Sequence, residues 1–384
     1  MIRVTRVVIC PDKFAGSIAA VAAAEALADG WRSVAPDHEL VTRPLADGGP
    51  GFLDVLHAAL GGRRLPVPTV DPLGRPVEGW VLLVGATAYV ESAQACGLHL
   101  LRPAERDPKR TTSYGLGGLL AAAVEAGARE VVVGLGGSAV NDAGAGMLAA
   151  VGAVALDDAG RAVPYGGAGL LGAARLAGTP ALRQVRLVAA TDVDNPLLGP
   201  HGASAVFGPQ KGASEQDVGL LDAALARFAE ILVRDLPGCP PDLATLPGAG
   251  AAGGLGAALL ALGGQRRSGI GLVRELTGLD QALATADLVV TGEGSFDAQS
   301  LRGKVVAGVA AAAAERGIPC LVAAGRVAVD PSDAGVAAAA SLVEHFDGDV
   351  ERAMTRPAEG LRALAAEFAR DYVAGRWRNA GGVG

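Results

Sequence analysis

The sequence predicts an α/β protein of two α/β domains with mostly parallel sheet. Three observations carry this. Short β-branched runs alternate with Ala-rich helical stretches, joined by Gly- or Asp-rich loops. The length, 384 residues, suits two domains of ordinary size. Hydrophobic residues make up 50% and charged residues 19%, which excludes disorder and coiled coil. Aromatics are only 4%, so Ala, Val and Leu must fill the cores.

The elements follow in order. Val7–Cys10 reads as a buried strand ending in a Pro-Asp turn, and Ser17 as the N-cap of an Ala-rich helix running to about Val34. Glu39–Pro44 is a second strand, Asp47-Gly-Gly a loop, and Phe52–Leu60 a helix stopped by Gly61-Gly62. From Leu65 to Ser92 short alternating runs and turn residues predict antiparallel strands that open a second domain. The α/β alternation then resumes with helix Tyr114–Ala126, strand Glu130–Val133, loop Gly134–Gly146 and a helix. Later strands are Arg186–Ala190, Leu288–Thr291 and Cys320–Ala324. Helices near Gln216–Val233, Ala257–Leu262, Val305–Arg316 and Ala358–Tyr372 fill the gaps, and the last dozen residues read as a frayed tail.

Composition narrows the function. Net charge is 33 − 40 = −7, which argues against nucleic-acid and membrane-surface partners, so an anionic ligand would need locally supplied positive charge. Of the 33 basic residues only Lys13, Lys109, Lys211 and Lys304 are lysines, so each retained one is worth examining. Cys10, Cys96, Cys239 and Cys320 form no CxxC pair, as expected of a reducing cytosol. Neither a signal peptide nor a membrane span is expected. Leu246–Gly264 lacks charge but contains seven glycines and a proline, a loop-and-helix composition. No stretch marks an oligomer interface.

In open α/β sheets ligands bind beyond the carboxyl ends of the strands. Five predicted strand ends carry carboxylates mixed with glycines: Asp12-Lys13, Asp47-Gly-Gly, Gly134–Gly144, Thr191–Pro196 and Gly292–Asp297. Any one alone is an ordinary capped turn; five together exceed turn chemistry. The Gly134–Ser138 loop is read as leading into a helix whose amides cradle phosphate. It fails the dinucleotide fingerprint, because Ala139 stands where the third glycine should. Gly303-Lys304 fails the P-loop, because Val305 follows, and the protein-kinase motif set is missing. Lys13, Lys211 and Lys304 fall in such loops as point charges suited to phosphate or carboxylate; Lys109 reads as a surface lysine. The five histidines show no zinc spacing, and His201 near a site loop reads as structural. Cys10, beside Asp12, is the one cysteine expected near the site.

This constellation points to Mg²⁺-dependent phosphoryl transfer, with Asp192 or Asp194 as the candidate base, since Asp-Val-Asp at a strand end aims one carboxylate into the crevice.

Taken in order, Pro11–Ser17, Ala46–Gly49, Gly136–Asp142, Asp192–Leu197, Ala205–Gly212, Gly248–Gly256, Thr291–Gly294 and Gly303-Lys304 resemble the type I glycerate kinases across nearly the whole chain. The resemblance implies a Rossmann-like domain built from both chain ends (1–66 plus 285–384), a second domain inserted in it (67–284), and an active site in the cleft between. It implies ATP and Mg²⁺ as cofactors, D-glycerate as substrate and 2-phosphoglycerate as product, in the cytoplasm. Under it Asp192 is the catalytic base, with Lys13 and Lys304 as catalytic cations. Asp12, Asp47, Asp194, Asn195, Lys211 and the loop residues Gly136, Gly137, Ser138, Asn141 and Asp142 hold substrate or phosphate. Glu293 holds the metal, directly or through water. The chain departs from the family at Ala15, where Lys is usual, at Pro50, often Glu, and at Val140, usually Thr. The alternatives are phosphorylation of the 3-hydroxyl, a kinase for a related small hydroxy acid, or a non-catalytic sugar-acid-binding protein. A nucleotide-dependent oxidoreductase is disfavoured by the failed fingerprint.

Overall fold

The computed structural model describes residues 4–298, 300 and 305–377; Lys304 and the glycine-rich end of the tail lie outside the described residues. Thirteen strands occur among the described residues: β1 (Arg6–Ile9), β2 (Glu39–Thr42), β3 (Arg63–Val70), β4 (Pro76–Val84), β5 (Thr87–Glu91), β6 (Glu130–Gly134), β7 (Ala153–Leu156), β8 (Arg175–Gly178), β9 (Arg186–Ala190), β10 (Gln265–Arg267), β11 (Leu288–Phe296), β12 (Cys320–Val327) and β13 (Ala338–Ser341). The chain divides into two compact units. The first comprises Met1–Asp47, Asp54–Leu60 and Ile270–Gly384; the second comprises Gly48–Leu53 and Gly61–Gly269. The α/β class expected from the sequence is what the structure shows.

The first unit holds a five-stranded sheet in the order β13-β12-β11-β1-β2, parallel throughout. The Val7–Ile9 and Leu288–Thr291 segments of its central strands are rich in β-branched residues and buried on both faces, as helix-covered parallel strands must be. Helix Ala20–Arg32 lies against helix Pro357–Val373, and their core is built on Ala23, Leu27, Trp31, Leu361 and Phe368. The first of these helices starts later than the sequence predicts. Ser17 is not its cap: the Ser17 amide donates to the Phe14 carbonyl in a tight turn, and Ala19 occupies the cap position without a side-chain bond.

The second unit holds a six-stranded sheet in the order β10-β9-β6-β5-β4-β3. The expected antiparallel stretch is β3-β4-β5, and β5, β6, β9 and β10 run parallel. Its largely aliphatic core contains Leu116, Leu119, Val131, Val133, Leu225 and Leu255. Two elements differ from expectation. β11 does not stop at Thr291, because Ser295 and Phe296 continue the pairing with Arg326 and Val327 of β12; Glu293 and Gly294 are therefore strand residues. The helix expected from Ala257 begins at Ala251, with Ala252, Gly253 and Gly254 left-handed inside it.

Two glycines give opposite expectations. A Cβ on Gly30 would lie 2.1 Å from the Arg362 carbonyl oxygen, so an alanine there must push the two helices apart. Gly219, in helix Glu215–Asp235, is exposed and has open space around the same position. Gly30→Ala should destabilise by about 2 kcal/mol or more, as overpacking does. Gly219→Ala should stabilise by up to about 1 kcal/mol through helix propensity. Chemical denaturation should show midpoints moving in opposite directions.

Candidate active site

In the first unit, parallel pairing of β1 with β11 brings residues 281 apart into register. The Asp12 amide donates to the Gly292 carbonyl at 2.8 Å, and Thr291 Oγ1 donates to the Cys10 carbonyl at 2.9 Å. The Asp12-Lys13 turn therefore sits beside Glu293. Lys13 Nζ lies 3.4 Å from Asp47 Oδ1 and 3.8 Å from Asp12 Oδ1, and the Asp12 carboxylate accepts the Lys13 amide at 2.7 Å. These residues line a cavity of about 720 Å³, within the usual size range for small-molecule sites.

The cavity has two characters. Asp12, Lys13, Asp47, Glu293, Ser295 and Arg326 supply its polar lining, while Phe14, Leu342, Val343, Val350, Ala353 and Met354 supply its apolar lining. Val350 and Met354 are exposed hydrophobics one helical turn apart in helix Val350–Thr355. Cys10 is buried at the end of β1, and burial pushes its thiol far above the ordinary range, so it supplies no thiolate.

In the second unit the strand ends carry the other predicted residues. Asp192 and Asp194 are both exposed. Ser268 Oγ donates to Asp192 Oδ1 at 2.6 Å, a contact created by β10, whose Arg267 is in register with Ala190. Asn195 is occupied locally, its side-chain amide donating to the His201 carbonyl at 2.8 Å. Glu91, at the end of β5, accepts the Gly51 and Leu53 amides and so caps helix Phe52–Leu60. Gly136 is required for close approach: a Cβ there would lie 2.6 Å from Gly49 Cα.

The Gly134–Ser138 loop does not lead straight into a helix. The loop continues past Ser138, and the helix it reaches spans only Ala145–Ala150. The amides at its start are taken. Asp142 accepts from Gly144 and Gly146 and from the Ser113 amide and hydroxyl, while Ser113 Oγ accepts the Met147 amide. Asp142 is fully buried and holds the loop together; burial raises its carboxyl above the ordinary range while these bonds pull it down. Asn141 is also fully buried, donating to Ser204 Oγ at 2.9 Å.

Lys211 is buried rather than presented to solvent. Its ammonium donates to Ser138 Oγ at 3.1 Å and to the Val140 carbonyl at 2.7 Å. Burial pushes its pKa down to about 7, against the opposing pull of Asp142 and Cys96. Lys109 makes an ion pair with Asp217 at 2.7 Å, beside the Ser214 cap of helix Glu215–Asp235, in line with its reading as a surface lysine. Among the described residues no group of three His, Cys, Asp or Glu converges as a metal site. No described helix is long and apolar enough to cross a membrane.

A model described as the glycerate kinase family matches residues 7–373. The chain belongs to the glycerate kinase family. A glycerate kinase from Haemophilus influenzae is 41% identical, with 94% of this chain and 97% of that protein covered. A glycerate 2-kinase from Escherichia coli K12 is 42% identical over 85% and 86% of the two chains. A crystal structure from Salmonella typhimurium LT2, assigned as a glycerate kinase 2, superposes with a TM-score of 0.81. It is 40% identical and covers 97% of this chain and all of that one. As a glycerate kinase relative this chain is a kinase.

Sequence reasoning missed three parts of the site. Arg326 lies in β12, beyond the end predicted for that strand at Ala324, a place the loop survey did not reach. Val350 and Met354 were legible as an apolar i, i+4 pair on an otherwise polar helix. Ser268 carried no signal, because the three-residue β10 that places it has no hydrophobic pattern.

The buried Asp142–Ser113 pair gives a direct test. Ser113→Ala and Asp142→Ala should each cost about 1–3 kcal/mol, because each leaves buried amides unpaired. The double variant should cost less than the sum by at least about 0.5 kcal/mol, since both remove one shared network. Urea unfolding of the four proteins measures this.

Proposed function

We propose that this chain transfers the γ-phosphoryl group of ATP to D-glycerate, giving 2-phosphoglycerate, with Asp192 as general base. The domain division expected from the sequence, 1–66 with 285–384 and 67–284 inserted, is part of the same proposal, as is a reducing cytosol as its location. The observation that carries the reading is the mixed lining of the first unit's cavity. Its apolar side chains suit a purine base, and Lys13 and Arg326 suit a triphosphate.

Phosphoryl transfer rests on positioning and charge neutralisation, with little covalent work for the protein. Lys13 and Arg326 would hold phosphate oxygens, and Lys304, outside the described residues, is given the same role from the sequence alone. Asp192, oriented by Ser268, would accept the proton of the attacking hydroxyl. Ser138 would bind glycerate, with Asp142 and Asn141 holding the loop that presents it. The departure at Val140 fits this division: its carbonyl, not its side chain, meets Lys211.

Mg²⁺ is usually held by one or two carboxylates together with substrate phosphates, not by an all-protein cage. Asp12, Asp47 and Glu293 supply hard oxygen donors on the same cavity, so the residues fit the ion. Held there, Mg²⁺ would supply charge neutralisation for phosphoryl transfer.

The protein incubated with Mg-ATP and D-glycerate should form 2-phosphoglycerate, identified by phosphorus NMR. The 3-phospho isomer would overturn the regiochemistry, and no phosphoglycerate the substrate. Asp192→Asn should lower kcat by about 10²–10⁴-fold while still binding nucleotide. A non-catalytic binding protein would be indifferent to it. Arg326→Ala should raise the KM for ATP more than that for glycerate.

A further inference from the structure

Lys211 and Ser138 lie 73 residues apart and meet in the second unit with almost no solvent around them; Lys211 is 1% exposed and Ser138 6%. An ammonium has three donors and no acceptor, so its contact with Ser138 Oγ fixes the direction of that hydrogen bond: the lysine donates and the serine accepts. The serine's own O–H must then point elsewhere, and Ser138 Oγ donates to no described residue. The second lysine bond, to the Val140 carbonyl, locks the ammonium against the same loop. A buried cation beside an outward-directed hydroxyl is complementary to one small anionic group.

Resting on the reading that Ser138 faces glycerate, we infer that Lys211 is a positioning residue. It turns the Ser138 hydroxyl outward as a donor for the substrate carboxylate, without itself touching phosphate. The site thereby selects small hydroxy acids that carry a carboxylate.

The geometry has a second state. A neutral lysine amine can accept the Ser138 hydroxyl hydrogen, which would turn that hydroxyl inward. The titratable groups facing Lys211 are Asp142, whose charge favours the ammonium, and Cys96, whose thiol burial pushes above its ordinary range. With the lysine pushed down to about 7, the outward hydroxyl is present below that pH and lost as pH rises through it in the ligand-free protein. Bound carboxylate favours the ammonium and carries the transition to higher pH.

Steady-state kinetics of the full chain with Mg-ATP and D-glycerate, from pH 6 to 9, tests this. In the wild type the glycerate KM should climb toward high pH while the ATP KM stays nearly flat. Lys211→Met and Ser138→Ala should each raise the glycerate KM by about ten- to a hundredfold, as loss of a charge-assisted hydrogen bond does, with a much smaller change for ATP. The rise with pH should disappear in Lys211→Met, and the double variant should be no worse than the poorer single one. Ser138→Ala, which removes one oxygen, keeps the test decisive if Lys211→Met does not fold. Turnover with an unchanged glycerate KM in Ser138→Ala, or equal shifts in both KM values, overturns the inference. Absence of wild-type turnover overturns the functional reading instead.

Discussion

The first unit depends on one pairing, the parallel register of β1 with β11. It joins residues from opposite ends of the chain and buries both strands, so the aliphatic core around Val7, Ile9, Leu288 and Val290 fixes it firmly. Once Ile9 opposes Val290, backbone bonds carry the register one step further and Asp12 must lie next to Gly292. Lys13 and Glu293 then share one cavity. A slip of one residue would move every side chain of these doubly buried strands to the opposite face and disrupt the packing on both, so the register is strongly specified. Pairing of β11 with β12 adds Arg326 in the same way, opposite Ser295.

The second unit solves a different problem. Its loops carry carboxylates that the fold spends internally. Asp142 gathers four donors around the turn into helix Ala145–Ala150, and Glu91 gathers two at the start of helix Phe52–Leu60. Burying a carboxylate is costly unless it is hydrogen-bonded, and this one is. The buried Lys211 near Asp142 offsets part of its charge. The chain as a whole is acidic, with a net charge of −7, so cations for an anionic substrate appear singly and locally.

Much of this was legible in the sequence. The α/β class, the antiparallel stretch before Ser92 and most strand ends follow from period and composition, because parallel buried strands leave an unmistakable β-branched signature. The scarcity of lysine singled out Lys13 and Lys211, and both belong to tight local constellations. What escaped depended on tertiary register. Nothing local distinguishes Asp142, which serves as an internal anchor, from Asp192, which stands exposed beside Ser268. β11 was read as ending at Thr291 because glycine and glutamate look like a loop, whereas the neighbouring β12 supplies the partners that keep Gly292–Phe296 extended. The apolar lining was hidden for a similar reason: Leu342 comes from helix Leu342–His345 and Val350 and Met354 from helix Val350–Thr355, two short helices whose convergence no spacing reveals.

Placement of the nucleotide in the first unit's cavity is the claim on which the account turns, and the sequence supplies a reporter for it. Of its three methionines, Met354 lines the cavity and Met147 is buried in the core of the second unit. The decisive measurement is NMR of methyl-labelled methionine during titration with Mg²⁺ and a non-hydrolysable ATP analogue, the Met354 signal being assigned by its loss in Met354→Leu. The account predicts a saturable shift of Met354 with Met147 left nearly in place. Saturable nucleotide binding that leaves the Met354 methyl unmoved would contradict it.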